Sequence, residues 1–140
     1  MGIEGFISWY VSRQASRSFS FEEKGSVEPP SAPARPIHLY VHIPFCIELC
    51  PYCSFHRVPF REPQAREYFS ALKHEIGMYR DRGFSFSGVY IGGGTPTVLP
   101  DELFDLLSLI RRNFSPTEIS VETNPDRLDK EMLKRLADAG

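Results

Sequence analysis

The three cysteines of the chain, Cys46, Cys50 and Cys53, fall within eight residues of the stretch YVHIPFCIELCPYCSF, Tyr40 to Phe55. Such close grouping points away from inert core thiols, because ligation or reactivity is what keeps thiols together. A zinc ion on these three sulfurs needs a fourth ligand, which His42 or His56 can supply. A cubane iron–sulfur cluster takes one thiolate per iron, so three thiolates leave one iron open to an outside ligand. A reacting metal needs such an open position, and the C-x3-C-x2-C spacing favours the cluster over zinc. Pro44 and Pro51 stiffen the loop so that the sulfurs converge.

Two further stretches have chemistry-bearing patterns. Gly92-Gly93-Gly94-Thr95-Pro96 follows an apolar run, and glycines allow positive φ and close approach of the backbone to a ligand. A plain strand-to-helix turn is the simpler reading of the same residues. Glu122 ends the run EISVE before Thr123-Asn124-Pro125, as either an exposed strand-end carboxylate or a partner for a cationic ligand. Tyr40 reads as a core aromatic by type, and His42 as a satisfied core histidine or a donor to the cluster. His56 and Arg57, just past the loop, are placed to meet a substrate carboxylate.

These residues need elements to position them. Ile3, Phe6, Ile7, Tyr10 and Val11 form one apolar face of a helix within residues 1–21. That face packs on its own domain or, with Arg13 and Arg17, meets a partner or membrane surface. Residues 22–36, with Pro29, Pro30, Pro33 and Pro36, read as an extended linker. Residues 37–140 alternate strands and helices. A buried strand Ile37–Ile43 precedes the cysteine loop, and a helix opens at Pro63 and stops at Gly83. That helix turns Ala65, Tyr68, Phe69, Leu72, Ile76 and Tyr79 to the core. The strand Val89–Ile91 runs into the glycines, and a helix from Pro100 carries Leu103, Leu106, Leu107 and Ile110. The strand Glu118–Glu122 precedes a helix capped by Asp126, with Leu128, Met132, Leu133 and Leu136, ending at Gly140.

The fold class is therefore α/β with a parallel sheet, and all three candidate sites lie at the C-terminal ends of its strands, where such folds bind ligands. Three strands leave two open edges and a sheet that needs cover. Residues 37–140 thus read as the first three β/α units of a larger (β/α) barrel. Hydrophobic content of 41% fits a folded globular domain, and a net charge of −2 gives no footprint for nucleic acid. No stretch is long enough to span a bilayer, and MGIEGFISWY lacks the basic start of a signal peptide. Three free thiols suit a reducing compartment, so the expected location is cytoplasmic.

With Tyr52 before the last cysteine, the loop resembles the radical S-adenosylmethionine (SAM) superfamily. The flanks HLYVHIPFC, VYIGGGTPTVL and EISVETNPD are similar to the oxygen-independent coproporphyrinogen III oxidase family. That family also contains heme chaperones, heme-degrading enzymes and methyltransferases. The resemblance covers residues 37–140 and implies a partial barrel of the radical SAM type. It implies a 4Fe-4S cluster on Cys46, Cys50 and Cys53, its open iron chelated by the amino and carboxylate groups of SAM. One-electron reduction then cleaves SAM to a 5′-deoxyadenosyl radical. It further implies SAM contacts from Tyr40, Tyr52, Gly93, Gly94, Thr95 and Glu122, with no catalytic side chain assigned. The implied partners are a tetrapyrrole or other small organic substrate and an electron donor such as flavodoxin or ferredoxin. Porphyrinogen-oxidising members carry a fourth cysteine two residues after the third; here Phe55 stands there, as in the chaperone and other branches. Oxidase, heme chaperone and methyltransferase readings stay open, as does a plain cluster-based electron carrier.

Overall fold

A computed structural model of the chain describes residues 3–18 and 30–140. The chain divides into two units, Met1–Pro30 and Ser31–Gly140. The first contains helix α1 (Ile3–Ser18), on which Phe6, Ile7, Tyr10 and Val11 are exposed and Arg13 lies over the Trp9 ring. Of the expected linker, residues 22–29 lie outside the described residues, and 30–36 carry no helix or strand.

The second unit is built on a parallel three-stranded sheet. Its strands β1 (Ile37–Ile43), β4 (Phe86–Gly93) and β5 (Glu118–Val121) stand in the order β1-β4-β5. Side chains alternate across a strand, which sorts the sequence onto two faces. Val41, Ile43, Val89 and Ile91 are buried on one face, with Leu39, Ile119 and Val121 packed beside them. His38, Tyr40, His42, Tyr90 and Ser120 fall on the other. The expectation that the first strand is wholly buried is therefore corrected. Leu39, Val41 and Ile43 enter the core, whereas Tyr40 on the opposite face is 56% exposed. The register pairs Tyr40 with Tyr90, and Tyr90 with Ser120.

Helices cover the apolar face. Helix α2 (Glu62–Asp81) begins with Pro63 in its first turn and stops before Gly83, whose φ of +78° suits glycine. It buries Ala65, Phe69 and Ile76 against the sheet, with Tyr68 and Leu72 partly covered. Helix α3 (Pro100–Phe114) buries Leu103, Leu106, Leu107 and Ile110, its expected apolar stripe. Each such side chain contributes about 1.5–3 kcal/mol by leaving water. Between the two helices Glu102 accepts from Lys73 at 2.7 Å and Arg66 at 3.1 Å.

Helix α4 (Lys130–Ala139) is capped by Asp129, whose carboxylate accepts from the Met132 N–H at 2.7 Å. Asp126, the expected cap, lies instead in the single 3-10 turn Pro125–Arg127. Asn124 caps that turn, accepting from the Asp126 N–H at 3.2 Å. The strands form an open sheet, not a closed barrel.

Candidate functional site

The cysteine loop leaves β1 at Pro44 and is closed at its base by two short parallel strands, β2 (Phe45–Cys46) and β3 (Val58–Pro59). Phe45 sends its ring into the core, edge-on to Tyr68, so the first cysteine is anchored by packing. The Val58 N–H bonds the Pro44 carbonyl and the Phe60 N–H the Cys46 carbonyl, both at 2.8 Å. Cys46 is buried; Cys50 and Cys53 are half-buried, and all three thiols are free of disulfides. Tyr52, at the loop tip, is 87% exposed, and Phe55 is 71% exposed.

The glycine turn is threaded against this loop. The Gly94 N–H bonds the Ile43 carbonyl at 2.7 Å, and the Thr95 N–H bonds that of Phe45 at 2.8 Å. The Thr95 hydroxyl lies 3.8 Å from the Cys46 sulfur. A β-carbon on Gly94 would come within 2.6 Å of the Phe45 carbonyl oxygen and 2.9 Å of the Cys46 sulfur. Gly93 has φ of +118°, the region closed to other residues. Glycine is thus required at both positions by what surrounds them.

Glu122 continues the ladder just beyond β5, its N–H on the Ile91 carbonyl at 2.9 Å. Its carboxylate accepts from the Gly93 N–H at 3.1 Å and from the Tyr90 hydroxyl. That second bond, foremost, pushes the Tyr90 phenol up. Tyr40 stacks on Tyr90, ring centroids 5.9 Å apart, and its hydroxyl lies 2.9 Å from His42 Nδ1. His42 Nε2 faces the His56 carbonyl at 2.9 Å. A carbonyl only accepts, so Nε2 donates to it, while Nδ1 pairs with the Tyr40 hydroxyl. Both ring nitrogens of His42 are therefore satisfied by protein. Tyr90, absent from the expected site, is visible in the sequence only once the register sets it between Tyr40 and Ser120.

Arg57, expected to meet a substrate carboxylate, lines the cavity of the cysteine loop. Its guanidinium turns back into the loop and donates to the carbonyls of Cys50 and Cys53, the latter at 3.1 Å. The Phe55 backbone N–H, then Arg57, hold the Cys53 thiol below the usual range, which favours the thiolate that binds metal. A hydrogen bond to Cys50 pushes the Tyr52 phenol up.

Cys46, Cys50, Cys53, Gly93, Gly94 and Glu122 border one cavity of about 480 Å³, within the size range of small-molecule sites. Thr95 lines it too, whereas Tyr52 lines an adjoining cavity of about 350 Å³ that also touches Cys50 and Thr95. Tyr40 borders neither and reaches this region through Tyr90 and His42. Three separate thiols around a shared space, one favoured as thiolate, fit a cluster that takes each sulfur on a different iron.

Residues 40–140 match the family model of the radical SAM superfamily. The chain is 41% identical over 108 residues to the heme chaperone HemW of Bacillus subtilis, covering 72% of this chain and 28% of the relative. It is 35% identical over 143 residues to the oxygen-independent coproporphyrinogen III oxidase of Salmonella typhimurium, covering 94% of this chain and 31% of that one. Among solved structures, coproporphyrinogen III oxidase (HemN) from Escherichia coli superposes with a TM-score of 0.68 at 37% identity. That match covers 76% of this chain and 26% of the other. The chain thus spans about a quarter to a third of the length of these relatives. With the cysteine loop, the glycine turn and Glu122 gathered at one edge of a parallel sheet, and the family model matching from Tyr40 onward, the chain belongs to the radical SAM superfamily.

Proposed function

We propose that this chain carries the cluster- and SAM-binding portion of an enzyme of the oxygen-independent coproporphyrinogen III oxidase type. Cys46, Cys50 and Cys53 hold a 4Fe-4S cluster, and SAM lies against Tyr52, Gly93, Gly94, Thr95 and Glu122, with Tyr40 beside them. When bound, the cluster supplies the electron whose transfer cleaves SAM to a 5′-deoxyadenosyl radical. The chain's own residues bind and orient. Gly93 and Gly94 let the ligand approach the backbone, and Glu122, braced by Tyr90 and the Gly93 N–H, offers negative charge to a cationic ligand. Thr95 ties the turn to Cys46, so the two halves of the site keep a fixed separation. The observation that carries this reading is the single cavity bordered by three free cysteines, the glycine turn and Glu122.

The substrate in this reading is a tetrapyrrole, the electron donor a flavodoxin or ferredoxin, and the setting a reducing compartment such as the cytoplasm. In this reading residues 37–140 form the N-terminal portion of the core domain. No helix among the described residues is long and apolar enough to cross a membrane. A heme-binding chaperone is the second reading, favoured by Phe55 where oxidising members have a cysteine. A radical SAM methyltransferase is a third. The test is anaerobic incubation of the reconstituted protein with SAM and dithionite. Formation of 5′-deoxyadenosine supports the reading, and its absence from a cluster-loaded protein overturns it. Release of CO2 from coproporphyrinogen III marks the oxidase; stoichiometric heme binding with little turnover marks the chaperone. S-adenosylhomocysteine formed beside 5′-deoxyadenosine marks the methyltransferase.

A further inference from the structure

The segment between β2 and β3 has little of its own to hold its shape. Ile47, Leu49, Tyr52 and Phe55 are exposed, so no apolar core fills it. Backbone-to-backbone bonding within it, among the described residues, amounts to the Cys53 N–H on the Cys50 carbonyl at 3.2 Å. Its base is firm, because the Val58 and Phe60 N–H groups tie β3 to Pro44 and Cys46. Arg57 springs from that base, immediately before β3. Its guanidinium reaches back across the turn to the carbonyls of both Cys50 and Cys53. It lines the same cavity as the three sulfurs, and its buried Nε has no protein acceptor.

We propose that Arg57 is the positioning residue of the cysteine loop: it clamps the Cys50 and Cys53 carbonyls so that the sulfurs keep their spacing, and it sets a fixed positive charge beside the cluster. This rests on the reading that Cys46, Cys50 and Cys53 hold an iron–sulfur cluster. Arginine suits the role because its planar fork presents several donors at fixed angles, whereas lysine offers a point charge on a flexible stem. Adding an electron makes a cluster more negative, so a neighbouring cation favours the reduced state. Net charge and hydrogen bonding are what tune cluster potentials.

The test compares the wild-type chain with Arg57→Lys and Arg57→Gln, each reconstituted anaerobically with iron and sulfide. Two quantities are read: the rate of iron loss to a chelator and the one-electron midpoint potential of the cluster. Both variants are expected to lose iron about tenfold faster, the worth of one charge-assisted hydrogen bond. Arg57→Gln is expected to shift the reduction equilibrium about tenfold toward the oxidised form, about 59 mV for one electron. Arg57→Lys, which keeps the charge, holds the wild-type potential. A wild-type rate of iron loss or a wild-type potential in Arg57→Gln overturns the proposal. If far-UV circular dichroism finds Arg57→Gln unfolded, Arg57→Lys decides: faster iron loss at unchanged potential supports the clamp, and any other result overturns it. A wild-type chain that takes up no cluster sinks both this proposal and the function it rests on. A loaded wild type with indistinguishable variants sinks the clamp alone.

Discussion

At Gly94 a single methyl group would meet a backbone carbonyl at 2.6 Å and the Cys46 sulfur at 2.9 Å. The nearer neighbour is backbone and Cys46 is buried, so Gly94→Ala forces the glycine turn away from the cysteine loop. The expected cost is about 1–3 kcal/mol of stability, in the range for overpacking, together with reduced iron uptake. Thermal melting and iron analysis of the same preparation check both. Cys50 tests the opposite case, since it sits on the exposed loop and contributes little to the core. Cys50→Ala is expected to melt like the wild type yet take up no intact cluster and cleave no SAM, because two thiolates do not hold a cubane. Full iron content in that variant would count against the ligand assignment. Tyr90→Phe removes a donor from Glu122 while leaving the ring stacked on Tyr40. SAM binding should weaken roughly fivefold, the worth of about 1 kcal/mol, with iron content unchanged. Titration of the loaded protein with SAM measures it.

Among the elements, the α2–α3 pair covers the sheet and so sets the strand ends on which the site is built. Leu106, fully buried on α3, is expected to cost about 2–5 kcal/mol when changed to alanine. Denaturant unfolding checks this. Glu102 joins the same helices electrostatically, and hydrogen bonds from Lys73, then Arg66, hold its carboxyl below the usual range. A depressed carboxylate stabilises the fold fully above its unfolded value, about 4.3, and loses that contribution as pH falls through the folded value. Glu102→Gln should therefore cost about 0.5–1 kcal/mol at neutral pH, with the gap to wild type closing below about pH 4. Melts across that range measure it. Helices α2 and α3 were legible in the sequence because Pro63, Pro100 and Gly83 punctuate apolar stripes of helical period. The cap of α4 was not: Asp126 and Asp129 are equivalent by type, and only the 3-10 turn that takes up Asp126 decides. The strand Ile37–Ile43 was legible in extent but not in burial, since an apolar run with two histidines does not say which face meets helices. The residues that border the shared cavity were legible as a cluster of motifs. Tyr90 was hidden because its place depends on strand register, and Arg57 was legible only as a cation beside the loop, because the backbone carbonyls it meets carry no residue signature.

For the molecule as a whole, the sheet keeps two outer strands and one polar face. In the order β1-β4-β5, among the described residues, only β4 is paired on both sides. Hydrogen exchange on residues 1–140 alone should find β4 amides slowest, with β1 and β5 faster, because exchange follows local opening and edge strands have fewer partners. Equal protection across the three strands would contradict the open-sheet description. The polar face of His38, Tyr40, His42, Tyr90 and Ser120 leads to the edge where the cysteine loop, the glycine turn and Glu122 meet. Helices on the opposite face give that edge its rigidity. The most direct measurement is the electron paramagnetic resonance spectrum of the anaerobically reconstituted, reduced chain, recorded with and without SAM. An iron–sulfur signal that changes when SAM is added is the predicted result. Zinc in place of iron and sulfide, or a cluster signal indifferent to SAM, would contradict it.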